Sequence, residues 1–426
     1  MKIKGNIVTI TKLALLGTAS LFAFGSAAYA QDQAADAPVE TAETTTDAAS
    51  ELEFLKAQVE SLQAQINEIQ KKSTATEATW KPAQWATETK VSGRMYFNFS
   101  NIDQKNNGVA NTNTDNTTNF ELKRFYLGVD HQFNKIFSGN ITTDVTWQSG
   151  VGASLYIKKA YLQAKFSDAL AIRVGAYDTP WVPFVENING YRHIEKVLID
   201  RTNFGTSSDW GIHVGGSFGQ DKLVEYAVAV LNGGGYRNPP GVGGTNRTHS
   251  LDVEGRINVN YAGFTAAIGG YTGKLAAEKG AVSSTPNRAE RLDALLVYKN
   301  KLFTAGGEYF YAKNWNNVTG SLSATADQKS DGFSLFGSVN FMPQWSAFGR
   351  YEWVKPNKLT TPDIKEDFFF AGVQYSPVKI VDLALVYKRD VANDGAISTG
   401  NGTIGVAGAG SRGTYDEVGL FGQFRF

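Results

Sequence analysis

From about Val91 to the last residue the chain alternates apolar and polar side chains at every second position, segment after segment, and this rules out most folds. Met95, Phe97 and Phe99 alternate with Arg94, Tyr96 and Asn98. Leu251, Val253, Gly255, Ile257 and Val259 alternate with Asp252, Glu254, Arg256, Asn258 and Asn260. Trp345, Ala347, Gly349, Tyr351 and Trp353 alternate with Ser346, Phe348, Arg350 and Glu352. Sixteen such segments begin near 91, 118, 136, 155, 169, 208, 222, 248, 264, 289, 302, 330, 345, 367, 380 and 414. The connections between them run short, then long, without exception. Short ones fall at Asn134-Lys135, Ser167-Asp168, Gln220-Asp221, Ala262-Gly263, Asn300-Lys301, Pro343-Gln344 and Pro377-Val378. Long ones cover about 102–117, 148–154, 178–207, 232–247, 275–288, 313–329, 355–366 and 391–413. A soluble sandwich also alternates, but it gives no reason for this pattern of loops. Short turns at one rim, long loops at the other and an even strand number predict an all-β, sixteen-stranded antiparallel transmembrane β-barrel over 90–426, with no free edge.

Composition and the N-terminus agree with that reading. The chain has no cysteine, 44 glycines, 8 Trp, 18 Tyr and 26 Phe, which excludes disulfide scaffolds and thiolate metal sites and favours strands and turns. His131, His193, His213 and His249 show no i, i+4 pairing, and no nucleophile motif accompanies them, so neither a metal site nor an enzyme is expected. Residues 1–30 read as a signal peptide: Lys2, Lys4 and Lys12, an apolar run from Leu13 to Phe24, then Ala28-Tyr29-Ala30. The run is too short to span hydrocarbon. Its removal turns a balanced 41 basic and 41 acidic residues into a mature chain three charges acidic. Residues 31–50 read as a disordered linker. At 51–72 the period changes to that of a helix, with Leu52, Leu55, Val59, Leu62, Ile66 and Ile69 at alternating spacings of three and four. Val59 and Ile66 with Leu55 and Leu62 suit a dimeric coiled coil; Ile66 with Ile69 leans toward three strands. Residues 73–89 return to a polar linker.

On the strands, large apolar residues mark the lipid face, so the opposite parity lines water. Over the first five strands that face carries Arg94, Arg124, Lys159, Lys165 and Arg173 against Asp130 and Asp144. Later strands carry Glu225, Asp252, Glu254, Asp293, Glu308, Glu352, Asp382, Asp390 and Glu417 against Arg256, Arg291, Arg350, Lys388 and Arg425. A basic wall facing acids would set a transverse field across a pore. The competing expectation is that these charges pair across strands and only satisfy a polar interior.

Glu121-Leu122-Lys123-Arg124-Phe125-Tyr126-Leu127-Gly128 resembles the basic-pair second strand of the phosphate-selective porin O and P family. Lys158-Lys159-Ala160-Tyr161-Leu162 and Ile172-Arg173-Val174-Gly175-Ala176-Tyr177-Asp178-Thr179-Pro180-Trp181 resemble that family too, as does the helix before the barrel. The resemblance implies a homotrimer of outer-membrane barrels, each with its own pore, narrowed by the loop after strand five. Here that loop, 178–207, holds Arg192, His193, Lys196 and Arg201 together with Glu186, Glu195 and Asp200. In the phosphate-selective members a basic constriction carries anion selectivity. Phe426 ends the last strand on the parity of Val418, Leu420 and Phe424, the C-terminal signal of such barrels.

The expectation is therefore a porin of the Gram-negative outer membrane, with its coiled coil in the periplasm. It would pass small hydrophilic solutes and ions by diffusion, with or without anion preference, and would need no cofactor. The alternatives are a phosphate-specific porin or a structural envelope protein tethered through the coiled coil. Expected partners are outer-membrane lipid, further copies of itself, and small solutes or anions such as phosphate; nucleic acid is not among them.

Overall fold

The computed structural model describes residues 48–79, 84–111, 116–148, 152–238, 250–277, 288–315, 328–359 and 363–426. The expected signal peptide and nearly all of the 31–50 linker lie outside these residues. Two units are present, 1–81 and 82–426.

The first unit contributes one helix, α1 (Ala48–Thr79), which takes in 51–72 and runs on at both ends into the segments expected as linkers. Leu55, Val59, Leu62, Ile66 and Ile69 are all exposed on it; the side chain of Leu52 is outside the described set. No described helix is long and apolar enough to cross a membrane, which says nothing about strands.

The second unit opens with α2 (Gln84–Thr87) and continues almost entirely as strands. In order these are β1 (Thr89–Asn106), β2 (Val109–Ala110), β3 (Thr118–Gln132), β4 (Phe137–Gln148), β5 (Gly152–Ser167) and β6 (Leu170–Asp178). After the long loop come β7 (Ser208–Phe218), β8 (Val224–Leu231), β9 (Asp252–Tyr261), β10 (Phe264–Gly273), β11 (Ala289–Lys299) and β12 (Phe303–Lys313). The last are β13 (Lys329–Met342), β14 (Trp345–Lys355), β15 (Lys365–Val378), β16 (Val381–Asn393), the hairpin β17 (Ile397–Thr399) and β18 (Gly402–Ile404), and β19 (Arg412–Arg425). Each barrel strand pairs antiparallel with the next, and β1 pairs with β19 from Arg94↔Arg425 to Asn106↔Gly413. Leaving out the two-residue β2, this is a closed barrel of sixteen strands, with starts close to those read from the sequence.

Local chemistry explains the short turns. Asn134 Oδ1 accepts from the N–H groups of Ile136 and Phe137, and Asn300 Oδ1 does the same for Leu302 and Phe303. Between Tyr261 and Phe264, Ala262 and Gly263 both take positive φ (48° and 83°), the two-residue turn whose twist matches a hairpin. The seam closes on the last residue: Gly93 and Phe426 exchange both backbone hydrogen bonds at 3.0 Å. A Cβ on Gly93 would fall within the Phe426 ring, so any side chain there must displace that ring.

The alternation is inside-out relative to a soluble protein. Along β11, Arg291, Asp293, Leu295 and Val297 are buried, while Leu292 and Leu296 are 59% and 58% exposed. The same pattern recurs around the barrel, for example at Ile141, Leu155, Val174, Ile268, Leu335 and Leu385. An apolar outer band around a polar interior is the arrangement hydrocarbon demands.

Candidate functional site

The loop from Asp178 to Ser207 folds into the barrel. Pro183 at the start of α3 (Val182–Asn189) has no N–H to lose there, and Gly190 ends the helix at φ 81° with its N–H on Glu186 O at 2.9 Å. A second short helix, α4 (Leu198–Arg201), follows. Trp181, Val182, Val185, Leu198 and Ile199 pack with Phe310, Leu295 and Val354 of the wall.

Polar anchors finish the seating. Trp181 donates its N–H to Glu254 (3.1 Å) and its indole N–H to Glu308 (2.7 Å). Arg256 Nε donates to Pro180 O at 2.8 Å and its guanidinium stacks on Phe184 at 3.8 Å. Arg291 binds Phe204 O, Glu254 and Asp293. Lys388 reaches Ile194 O (2.9 Å), Glu195 (3.1 Å) and Glu417 (3.2 Å), and Arg350 donates to Lys196 O. Arg201 meets Glu352 and Glu366, both at 2.5 Å, and Asp390 at 3.6 Å. Burial alone would raise the Glu195 carboxyl, but Lys388, Lys123 and Arg350 hold it well below the usual carboxylate range.

Apart from Lys123 on β3, these partners all belong to strands from β9 onward. The acids assigned by parity to the far wall do face inward, yet most of them sit under the loop with cations or donors already on them. Parity says which way a side chain points. It does not say that a thirty-residue loop then covers it.

The opposite wall stays open, and it holds more cations than parity suggested. Between Tyr96↔Arg124 and Phe97↔Leu122 the pairing skips Lys123. Between Thr142↔Lys159 and Thr143↔Ile157 it skips Lys158. At such a bulge two neighbouring residues oppose one, and both members of the basic pair turn into the lumen. Lys123 Nζ lies 4.9 Å from the ring of buried Phe421, and Lys158 Nζ lies 4.9 Å from the ring of Tyr126. Arg124 pairs with Asp144 at 2.9 Å and Lys159 with Asp178 at 2.5 Å. Among the described residues, Lys123 and Lys158 form no ion pair. Strict alternation had left both on the lipid face, where a lysine at mid-depth costs about 2–4 kcal/mol. The sequence signal was there: two adjacent bases on a period-two strand cannot both be satisfied without a bulge.

Two cavities lie between this wall and the loop. One, about 590 Å³ toward the short turns, is lined by Arg94, Tyr126, Lys158, Lys159, Glu186 and Arg192 among others. The other, about 620 Å³ toward the long loops, is lined by Lys123, Arg124, Glu195, Lys196 and Arg201. They meet the wall one pleat apart, at Tyr126 and Arg124. On the loop side Arg192 pairs with Glu186 at 2.5 Å, and Asp200 lies 3.8 Å from Arg192 and 3.4 Å from Lys196. The structure thus brings Arg94, Arg124 and Lys159 together with Glu186, Arg192, Glu195, Lys196, Asp200 and Arg201. Lys165 and Arg173 lie apart from them, in a separate cavity beside Tyr177. No cluster of metal-ligating side chains occurs among the described residues.

No family model and no curated protein matches the chain, so the likeness of its strand motifs to the phosphate-selective porins rests on those motifs. Solved structures do match in fold. The anion-selective porin from Comamonas acidovorans superposes with a TM-score of 0.56 at 12% identity, over 79% of this chain and 99% of that one. The trimer form of OmpT from Vibrio cholerae gives 0.55 at 10% identity, with the same coverage. The outer-membrane channel DcaP of Acinetobacter baumannii gives 0.52 at 13%, over 78% and 96%. At these identities the likeness is one of architecture: this chain folds as a sixteen-stranded barrel of the porin type.

Proposed function

We propose that this protein is an outer-membrane porin that passes small hydrophilic solutes by diffusion and favours anions. The observation that carries the reading is the asymmetry of the lumen: Lys123, Arg124, Lys158 and Lys159 converge on the open wall, while the acids of the far wall are bound beneath the loop. Lys123 and Lys158 form no ion pair among the described residues, and in a narrow pore a wall charge is screened less than at an open surface. The porin-type fold supports the same assignment.

Planar-bilayer recordings across a KCl gradient test it. A reversal potential of anionic sign is expected; a cation-selective channel would sink the preference. A phosphate-specific porin would add a saturable block of chloride current by millimolar phosphate. The uncharged, exposed row Leu55, Val59, Leu62, Ile66 and Ile69 on α1 supports self-association, with three copies as the arrangement that Ile66 and Ile69 favour. Sedimentation of the detergent-solubilised full chain should give a trimer, and Val59→Asp with Ile66→Asp should weaken it.

A further inference from the structure

Helix α3 divides the short-turn half of the lumen. Asp178, Pro183 and Asn187 line the cavity of about 590 Å³ on one side and a second cavity of about 670 Å³ on the other. The second cavity is walled by β5 to β9 and contains none of the bases of the open wall. Asp168 and Lys222, from two of the short turns, form its rim, so it opens at that end.

Its polar content is unevenly committed. Asp178 holds Lys159 at 2.5 Å and Ser208 at 3.3 Å. Glu225 accepts from Asn258 and Asn260, both at 3.1 Å, and Asp168 pairs with Lys165 at 2.7 Å. Arg256 is occupied in holding Pro180 O and stacking on Phe184. Two groups are exceptions: His213, edge-on to Tyr177 at 5.3 Å with both ring nitrogens buried and without a hydrogen-bond partner, and the cation Arg173. Arg173 stacks on Tyr177 at 4.4 Å, forms no ion pair among the described residues, and its Nε is buried with no hydrogen-bond partner. Around it lie Ala171, Pro180, Pro183 and Ala227. A guanidinium whose plane is fixed on an aromatic ring and which holds no carboxylate of the protein, in a chamber lined by both polar and apolar groups, offers what a planar carboxylate needs.

We propose that this side chamber binds a small organic carboxylate, its oxygens on Arg173 and its apolar body among Tyr177, Phe184 and the prolines. The site lies beside the solute path and not in it, so it holds ligand without stopping current. It rests on the channel reading only for there being such a path.

Benzoate is the probe, titrated calorimetrically into the full-length protein in detergent. The wild type and Lys158→Gln should bind it saturably. Arg173→Gln should weaken binding about tenfold, the scale of one lost charge-assisted contact. Ala227→Phe, which fills the chamber and changes no charge, should do the same, and it decides the matter if Arg173→Gln does not fold. Acetate should bind more weakly than benzoate, and phosphate should displace benzoate poorly. KCl conductance, recorded separately, should not change at saturating benzoate. Absence of binding, loss of binding in Lys158→Gln but not in Arg173→Gln, equal competition by phosphate, or block of the current would each overturn the proposal. A barrel that binds benzoate yet conducts no ions would refute the porin assignment and leave the chamber standing.

Discussion

Arg201→Gln tests how the loop is held. Arg201 places one cation among three buried carboxylates, Glu352 and Glu366 at 2.5 Å and Asp390 at 3.6 Å, and its own side chain is 10% exposed. Removing one partner from a buried charge cluster costs about 3–5 kcal/mol, because the remaining charges lose their compensation. Glu352 keeps Arg350 at 2.9 Å, so the lower end of that range applies. About 3 kcal/mol shifts the ratio of seated to unseated loop by roughly a hundredfold. The barrel itself should survive, since every strand is paired by backbone ladders that do not involve the loop. In bilayers the variant should show higher and noisier single-channel conductance, and in liposome-swelling assays it should admit disaccharides faster. Conductance, noise and swelling all equal to wild type would show that these contacts do not keep the loop in place.

Three further outcomes follow from the geometry. Lys123→Gln with Lys158→Gln should cut the chloride-to-potassium permeability ratio several-fold with little change in conductance, whereas Arg173→Gln should leave that ratio alone; reversal potentials compare them directly. Burial, reinforced by Arg425 and Lys123 and opposed by Asp382, lowers the His193 pKa from 6.5 to about 4. Below pH 6.5 the unseated loop then takes up a proton that the seated one resists, so seating is fully stable above that pH and loses up to about 3 kcal/mol as pH falls to about 4. Gating noise should rise over this window and flatten in His193→Gln; an unchanged pH profile in that variant would rule His193 out. Gly93→Val should drive a side chain into Phe426 at the closing seam and lower the temperature at which the barrel loses its heat-modifiable mobility in electrophoresis.

What the sequence determined by itself is the barrel. Period-two alternation is set by the two media on either side of a strand, lipid and water, and each residue reports its side without reference to distant ones. That is why strand number, closure, the short-and-long rhythm of connections and the inward direction of Arg124, Lys159, Glu254 or Lys388 were all legible along one dimension. What lies against an inward side chain is a different matter. Lys123 and Lys158 enter the lumen only because the facing strand is one residue shorter at those points, a fact about pairing between strands. Arg201 meets Glu352 and Asp390, and Trp181 meets Glu308, only because the loop crosses the barrel to residues more than a hundred positions away. The same crossing divides the basic residues, leaving Arg124 beside the open path and Arg173 in a chamber of its own. Whether an inward charge is spent on holding the loop or left facing water is decided by that path, and it is tertiary packing alone that makes the lumen's balanced charges unequal in effect.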